Sequence, residues 1–322
     1  LGKVFTPYKN KWIETFSQQG SHPANYEVNL KKLTKWENKK NILVHDFYAQ
    51  IGFEKTTPAL SGGSKEALKR LTKFEKKMQD YADLRNFPSV DGTSNLSVYI
   101  RHGNISIRDM IRAAKISQNQ GAQTWLSELI WRDFYEMILD VHPYIENESF
   151  KRDYDKIKWP GEASHFRAWC EGKTGYPIID SAMRCLNETG MMHNRLRMIV
   201  ASFLCKILLI DWRKGEKYFA EKLLDYDLAA NNGGWQWSSS SGCDAQPYFR
   251  IFNPYTQSEK FDAEGKFIKQ WCPELSALDK KTIHAPHKLG LLKPVKYPDP
   301  IVNYEAQRVK CMDVYSVVKS EK

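Results

Sequence analysis

The chain has 322 residues, 42% hydrophobic and 27% charged, the balance of a folded globular protein and not of a disordered one. Its longest mostly apolar stretch, residues 198–210, is interrupted by Lys206 and falls short of the roughly 20 apolar residues that a membrane span needs, which excludes a transmembrane segment. Lys and Arg outnumber Asp and Glu by 48 to 38, a formal net charge of +10, and aromatic residues reach 13%. Excess positive charge suits a polyanionic partner and aromatic surface suits unstacked bases, while tryptophans equally fill cores.

At the N-terminus, LGKVFTPYKNKW lacks an apolar core of signal-peptide length, and VFTPYKNKW reads as a strand remnant followed by a connecting segment. Residues 21–62 are polar and basic and end in PALSGGS, the composition of a linker with some helix. After Gly62–Gly63 helical periodicity strengthens. SKEALKRLTKFEKKMQDYADLRNF offers Ser64 as an N-cap and Leu68, Leu71, Phe74 and Met78 as an apolar face. The stretches SIRDMIRAAKIS, TWLSELIWRDFYEMILDVH, YPIIDSAMRCLNET and NRLRMIVASFLCKILLI continue the same period. Strand-like alternation is scarce beyond residue 20 and no internal repeat occurs, so the fold class expected is all-α, divided into residues 1–62 and 63–322. The six cysteines stand fifteen or more residues apart with no C-x-x-C pair, which predicts reduced thiols of a cytoplasmic protein and no metal site.

Four stretches carry chemistry. In DGTSNLS (91–97) a glycine precedes three hydroxyl or amide side chains ahead of a helix, a set able to present donors to phosphate oxygens or simply to cap the helix. In ELIWRDFY, Glu128, Trp131, Arg132 and Tyr135 share one helix face. That stripe fits a cavity that stacks on a planar group and hydrogen-bonds its edge, or a half-buried helix with internal ion pairs. MMHNRLRM repeats the pattern, with Met191, Asn194, Arg195 and Met198 on one face and Arg197 pointing elsewhere. In DYDLAANNGGWQW, Asp225, Asp227 and Asn231 precede paired glycines and two tryptophans. The glycines are expected to break the helix and admit a close backbone approach.

NNGGWQW followed by CDAQPYFRIFNPYTQSEKFD resembles the signature of the photolyase/cryptochrome flavoproteins. GTSNLS, ELIWRDFY, GYPIIDSAMR and MHNRLRM match that family in the same order, over about residues 63–275. MHNRLRM is similar to the class I cyclobutane pyrimidine dimer photolyases. The (6-4) photolyases and animal cryptochromes carry a His-x-Leu-Ala-Arg-His type stretch there, and plant cryptochromes carry Asp where Asn231 stands. The resemblance implies a helical domain that cradles FAD, active as fully reduced FADH−, beside a cavity facing DNA. It also implies light-driven repair of pyrimidine dimers: an electron passes from the flavin to a flipped-out dimer, the cyclobutane ring splits, and the electron returns.

The family's roles fall on matching positions. Tyr81, Thr93, Ser94, Leu96 and Ser97 would hold the FAD phosphates and ribityl chain, Asn231 would face flavin N5, and Arg197, Asp225 and Asp227 would border the ring system. Glu128 would hydrogen-bond the dimer and stabilise its radical anion. Trp131 and Trp237 would pack on the flipped bases, and Tyr135, Asn194 and Met198 would complete the cavity. Arg85, Arg195 and Gln257 match DNA-contacting positions, which gives the basic balance a use. Trp235, Trp212 and Trp159 match the family's photoreducing tryptophan chain, whereas Trp169 and Trp271 read as core. The expected partner is dimer-containing DNA and the expected state a monomer, nucleoid-associated if the source is bacterial, with no membrane.

Three features depart from the family. Met191 stands where Trp is usual, and Val98 where Pro is usual. The N-terminal α/β domain that binds a folate or deazaflavin antenna is expected to be missing from this chain, so no antenna is assigned to it. A cryptochrome-like photoreceptor without repair is the alternative reading, and retention of Glu128, Trp131, Asn194, Met198 and Trp237 argues against it. A binding module without flavin chemistry is the third, opposed by Asn231, Asp225 and Arg197.

Overall fold

A computed structural model describes residues 2–19, 31, 52, 60–117, 119–292 and 296–319. Helices run from Phe5–Gln18 (α1), Ser64–Glu75 (α2), Tyr81–Leu84 (α3), Ser97–Arg101 (α4), Ile107–Ser117 (α5), Gln120–Val141 (α6) and Ala163–Glu171 (α7). They continue with Pro177–Thr189 (α8), Asn194–Ser202 (α9), Trp212–Lys222 (α10), Leu228–Ser239 (α11), Pro254–Phe261 (α12), Lys266–Trp271 (α13) and Tyr304–Val314 (α14). No strand occurs among the described residues, as the all-α expectation requires. The linker expected over 21–62 falls almost wholly outside them.

Two apolar clusters organise these helices. The first gathers Phe5, Leu71, Phe74, Met78, Tyr81, Leu96, Trp125, Phe134 and Ile145 around α6. The second gathers Trp169, Ile179, Met183, Leu196, Phe203, Trp212, Phe219 and Trp235 around α8–α11. Phe74 and Phe134 are 1% and 0% exposed, and burying a side chain of that size contributes about 1.5–3 kcal/mol. The seam between the clusters is α11 against α6. A Cβ at Gly233 would lie 2.3 Å from the Tyr135 ring, so only glycine permits this approach. Amides close the same seam. Gln236 Nε2 donates to the Ile145 carbonyl at 3.0 Å and to Asn232 Oδ1 at 3.0 Å, its Oε1 accepts the Phe150 N–H at 2.8 Å, and Asn232 Nδ2 donates to Ile145 at 2.9 Å.

Several local expectations are corrected. VFTPYKNKW is not a strand remnant: its residues enter α1, where Phe5, Tyr8, Trp12 and Phe16 recur at helical spacing and pack against the first cluster. Pro7 is tolerated because it sits in the first turn, where its missing N–H would have had no helical partner. Ser64 is the first residue of α2, with Gly63 at the cap, and Leu68 is 52% exposed. Leu71, Phe74 and Met78 are buried as expected, and Ala67 takes the buried place expected of Leu68. Gly233 and Gly234 do not break the helix; α11 runs through both, because its contacts with α6, α9 and α10 outweigh about 1 kcal/mol of glycine propensity per residue. The helix after MMHN begins at Asn194 behind His193, so Met191 lies outside it and not on its face. The six thiols are unpaired, as expected.

A Cβ at Gly215 would lie 2.1 Å from Trp235 Cη2 and 2.6 Å from Leu204 Cδ2. Gly215→Ala is therefore expected to destabilise the fold by about 1–3 kcal/mol through overpacking, read as a lower urea midpoint. An unchanged midpoint would mean that α10 retreats from α11 at no cost.

Candidate functional site

The seam also brings the functional side chains together. Tyr81 opens α3 and is 7% exposed, with the Arg85 guanidinium 5.2 Å over its ring. The loop from Gly92 folds against Leu84, where a Cβ on Gly92 would collide with backbone. It carries Thr93, which donates to Asn95 Oδ1 at 3.3 Å, then Ser94, the buried Leu96 and the exposed Ser97 that begins α4. The α4 end is tied across the seam: Arg101 Nε donates to the Tyr226 carbonyl and His102 meets the Leu224 carbonyl at 3.2 Å.

Beyond that seam lies the strongest charged pair of the site. Arg197 Nη2 donates to both carboxylate oxygens of Asp225, at 3.0 and 2.8 Å, and Arg197 Nε donates to the Met192 carbonyl at 2.8 Å. The Asp225 side chain is only 4% exposed. Burial opposes its charge, but the Arg197 guanidinium and a hydrogen bond from Ser97 hold its carboxyl below the ordinary value. Asp227 caps α11 by accepting the Ala230 N–H at 3.0 Å and lies 3.6 Å from Arg132. Asn231 Nδ2 donates to the Glu216 side chain at 2.9 Å and to its carbonyl at 3.1 Å. One turn on, Gly234 exposes bare backbone: a Cβ there would meet nothing within 4 Å.

On α6, Glu128 accepts from Arg85 Nη1 at 2.6 Å. Trp131 stacks on Phe5, with Phe134 at its edge and Tyr135 tilted beside it. Arg195 on α9 donates to Asn86 Oδ1 at 2.7 Å and lays its guanidinium 4.5 Å over the Phe261 ring at the end of α12. Arg85 and Arg195 are thus neighbours, and burial together with the Arg85 charge lowers the Arg195 pKa. Asn194 is exposed at the start of α9, and Met198, Trp237 and Gln257 are half-buried.

The three tryptophans assigned to photoreduction are spread along the second cluster and its margin. Trp235 meets Phe219 at 5.0 Å and Trp169 at 6.0 Å, Trp212 lies 4.6 Å from the Arg213 guanidinium, and Trp159 meets Tyr315 at 5.9 Å. Among the described residues no two of the three are in direct ring contact. Trp169 is fully buried and Trp271 half-buried against the same cluster, as expected of core.

Sequence reading missed four partners: Phe5 behind Trp131, Asn86 on Arg195, Glu216 on Asn231, and the capping role of His193. The Phe5–Tyr8–Trp12–Phe16 spacing carried a signal for the first. Chain-distant hydrogen bonds carried none for Asn86 and Glu216.

The hydroxyls of Thr93, Ser94 and Ser97 form a donor set suited to phosphate. The Arg197–Asp225 pair supplies fixed charges, and the open space at Gly234 offers a wall without a side chain, so these residues fit a large dinucleotide with a planar ring system. Residues 125–317 match the FAD binding domain of DNA photolyase. The chain is 44% identical to the deoxyribodipyrimidine photo-lyase of Escherichia coli over 329 residues, covering 99% of this chain and 69% of that protein. A bacterial class III photolyase from Agrobacterium tumefaciens superposes with a TM-score of 0.85 at 34% identity, over 99% of this chain and 69% of its own. A Synechocystis cryptochrome superposes at 0.82 with 29% identity, over 98% and 68%.

His193 sits among these groups. Its Nδ1 accepts the Arg195 N–H at 3.1 Å, while Nε2 is buried without a hydrogen-bond partner. Burial, then the Arg195 and Arg197 charges, push its pKa down to about 4. Between that value and the ordinary 6.5 the unfolded chain binds a proton that the folded chain refuses, so stability is complete above pH 6.5 and falls as pH drops toward 4. His193→Asn keeps a capping acceptor without the titration. The variant is expected to show a flatter stability profile by urea unfolding between pH 6.5 and 4; an equally steep profile would assign the loss to other groups.

Proposed function

The chain belongs to the DNA photolyase family of FAD-binding proteins, and we propose that it is a deoxyribodipyrimidine photo-lyase in which the seam between the two helical clusters holds the cofactor on one side and a flipped-out dimer on the other. The observation that carries this reading is the convergence of two separately charged groups on that seam: the neutralised Arg197–Asp225 pair and the Arg85–Glu128 pair. Bound and fully reduced, FAD supplies the light-driven electron that splits the cyclobutane ring and then returns.

The chain's own residues bind and orient. Thr93, Ser94, Leu96 and Ser97 present the loop before α4 to the diphosphate and ribityl chain, with Tyr81 closing the wall behind them. Arg197 and Asp225 border the ring system, and Arg197 keeps a charge beside it while Asp225 stays ionised. Asn231, oriented by its bonds to Glu216, turns its amide toward the ring. Asp227 fixes the start of α11 and thereby the height of Asn231.

On the substrate side, a Glu128 carboxyl oxygen accepts the imide N–H of a thymine. Arg85, 2.6 Å away, balances that carboxylate and leaves net charge beside the dimer no more negative than before. Trp131 and Trp237 offer aromatic faces to the extruded bases, Tyr135, Asn194 and Met198 fill the remaining wall, and extrusion itself costs a few kcal/mol, least at a damaged step. Arg195, Arg85 and Gln257 face the DNA backbone, where phosphate contacts give salt-dependent affinity. Trp235, Trp212 and Trp159 serve to photoreduce oxidised cofactor.

Two variants separate these roles. Glu128→Ala removes a hydrogen bond worth about 0.5–1.5 kcal/mol net, so repair yield per absorbed photon should fall about two- to tenfold with flavin content unchanged; loss of the flavin instead would contradict the role. Trp212→Phe should block photoreduction of oxidised flavin in the presence of a reductant, yet leave repair by chemically pre-reduced protein intact. Normal photoreduction in that variant would remove Trp212 from the route.

A further inference from the structure

We propose that Phe5 is a positioning residue for dimer recognition, holding the Trp131 indole in the plane in which its exposed part meets the extruded base. The inference rests on the reading of Trp131 as a base-stacking wall and adds a residue outside the motif-bearing region 63–275.

The two rings lie parallel, with centroids 3.6 Å apart and planes within 8° of each other. Phe5 is 7% exposed, whereas Trp131 keeps part of its ring open. Phe134 meets the Trp131 edge at 5.5 Å and 84°, and Phe5 at 5.8 Å and 77°, so it buttresses both members of the stack. An indole on an otherwise free helix face turns about two side-chain torsions, and ordering it on binding costs affinity. Covering one face with a fixed ring removes that cost beforehand.

Phe5 is itself held from outside α1. Val4, at the α1 cap, makes no side-chain capping bond; Asp244, distant in sequence, accepts the Phe5 N–H at 3.1 Å in its place. A carboxylate there also opposes the positive end of the helix. Cys243 Sγ donates to the Lys3 carbonyl at 2.8 Å, and one turn along α1 Tyr8 donates to Asp133 on α6 at 2.6 Å. Asp244 follows α11 in a left-handed conformation, φ 49°, so the loop that leaves the α11 tryptophans sets the position of Phe5, and Phe5 sets that of Trp131. Generic core packing would bury Phe5 but would not require a parallel ring on a partly exposed partner.

The test is dimer discrimination: the ratio of Kd for an undamaged oligonucleotide to Kd for the same oligonucleotide with one thymine dimer, measured in the dark on flavin-loaded protein. An aromatic pair contributes about 0.5–1.5 kcal/mol beyond burial, equivalent to about two- to tenfold, so Phe5→Leu, which keeps apolar bulk without a ring, should lower the ratio by that factor. Flavin content and undamaged-DNA affinity should stay unchanged, and Phe5→Tyr should restore the ratio. Trp131→Ala serves as the reference. If it lowers discrimination while Phe5→Leu does not, the positioning role is wrong and the cavity reading stands. If neither changes the ratio, Trp131 is not a stacking wall and both fail. A Phe5→Leu protein that loses flavin and undamaged-DNA affinity in parallel would make Phe5 ordinary core and overturn the inference.

Discussion

Everything in this molecule depends on how closely α11 approaches α6. Gly233 removes the side chain that would collide with Tyr135, and the Asn232 and Gln236 amides replace the water that the buried Ile145 and Phe150 backbone groups give up. A buried amide left without partners costs about 1–3 kcal/mol, so this seam is either fully formed or strongly unfavourable. It therefore sets one register between two clusters that would each bury apolar residues without it.

That register decides the chemistry. Glu128, Trp131 and Tyr135 ride on α6, while Asp227, Asn231 and Gly234 ride on α11. Asp225 enters between α10 and α11, and Arg197 reaches it from α9. Buried Asp225 keeps its charge because Arg197 pairs with it at 2.8 Å, and half-buried Glu128 is paired with Arg85 at 2.6 Å. Leaving a buried carboxylate such as Asp225 without its partner is typically costly by several kcal/mol, so the Arg197–Asp225 pair also locks α9 to the segment ahead of α11. Burial, reinforced by the charges of Arg195 and Arg197, keeps His193 from taking up a proton, and the clustering of Arg85, Arg195 and Arg197 suits a polyanionic partner.

The sequence made the helical class legible because apolar periodicity runs through α5, α6, α8 and α9 with few interruptions. It made the candidate site visible because unusual polar, glycine and indole positions are dense in ELIWRDFY, MHNRLRM and NNGGWQW. What escaped it was whatever tertiary contact decides. Leu68 and Ala67 differ by one step on α2, and only the neighbouring helix determines which is buried. Gly233 and Gly234 break an isolated helix and continue a packed one. Phe5 lies 126 positions from Trp131, so the aromatic spacing around Phe5 marks an apolar helix face without naming the ring that it covers.

Light-driven splitting of pyrimidine dimers is the activity on which every residue role above depends. Purified protein, reduced and mixed with a thymine-dimer oligonucleotide, is illuminated with blue light beside a dark control, and intact dimer is counted with time. A bound flavin spectrum and dimer loss in the light alone are expected. Flavin-loaded, dimer-bound protein that leaves dimer equally abundant in light and dark would contradict this activity.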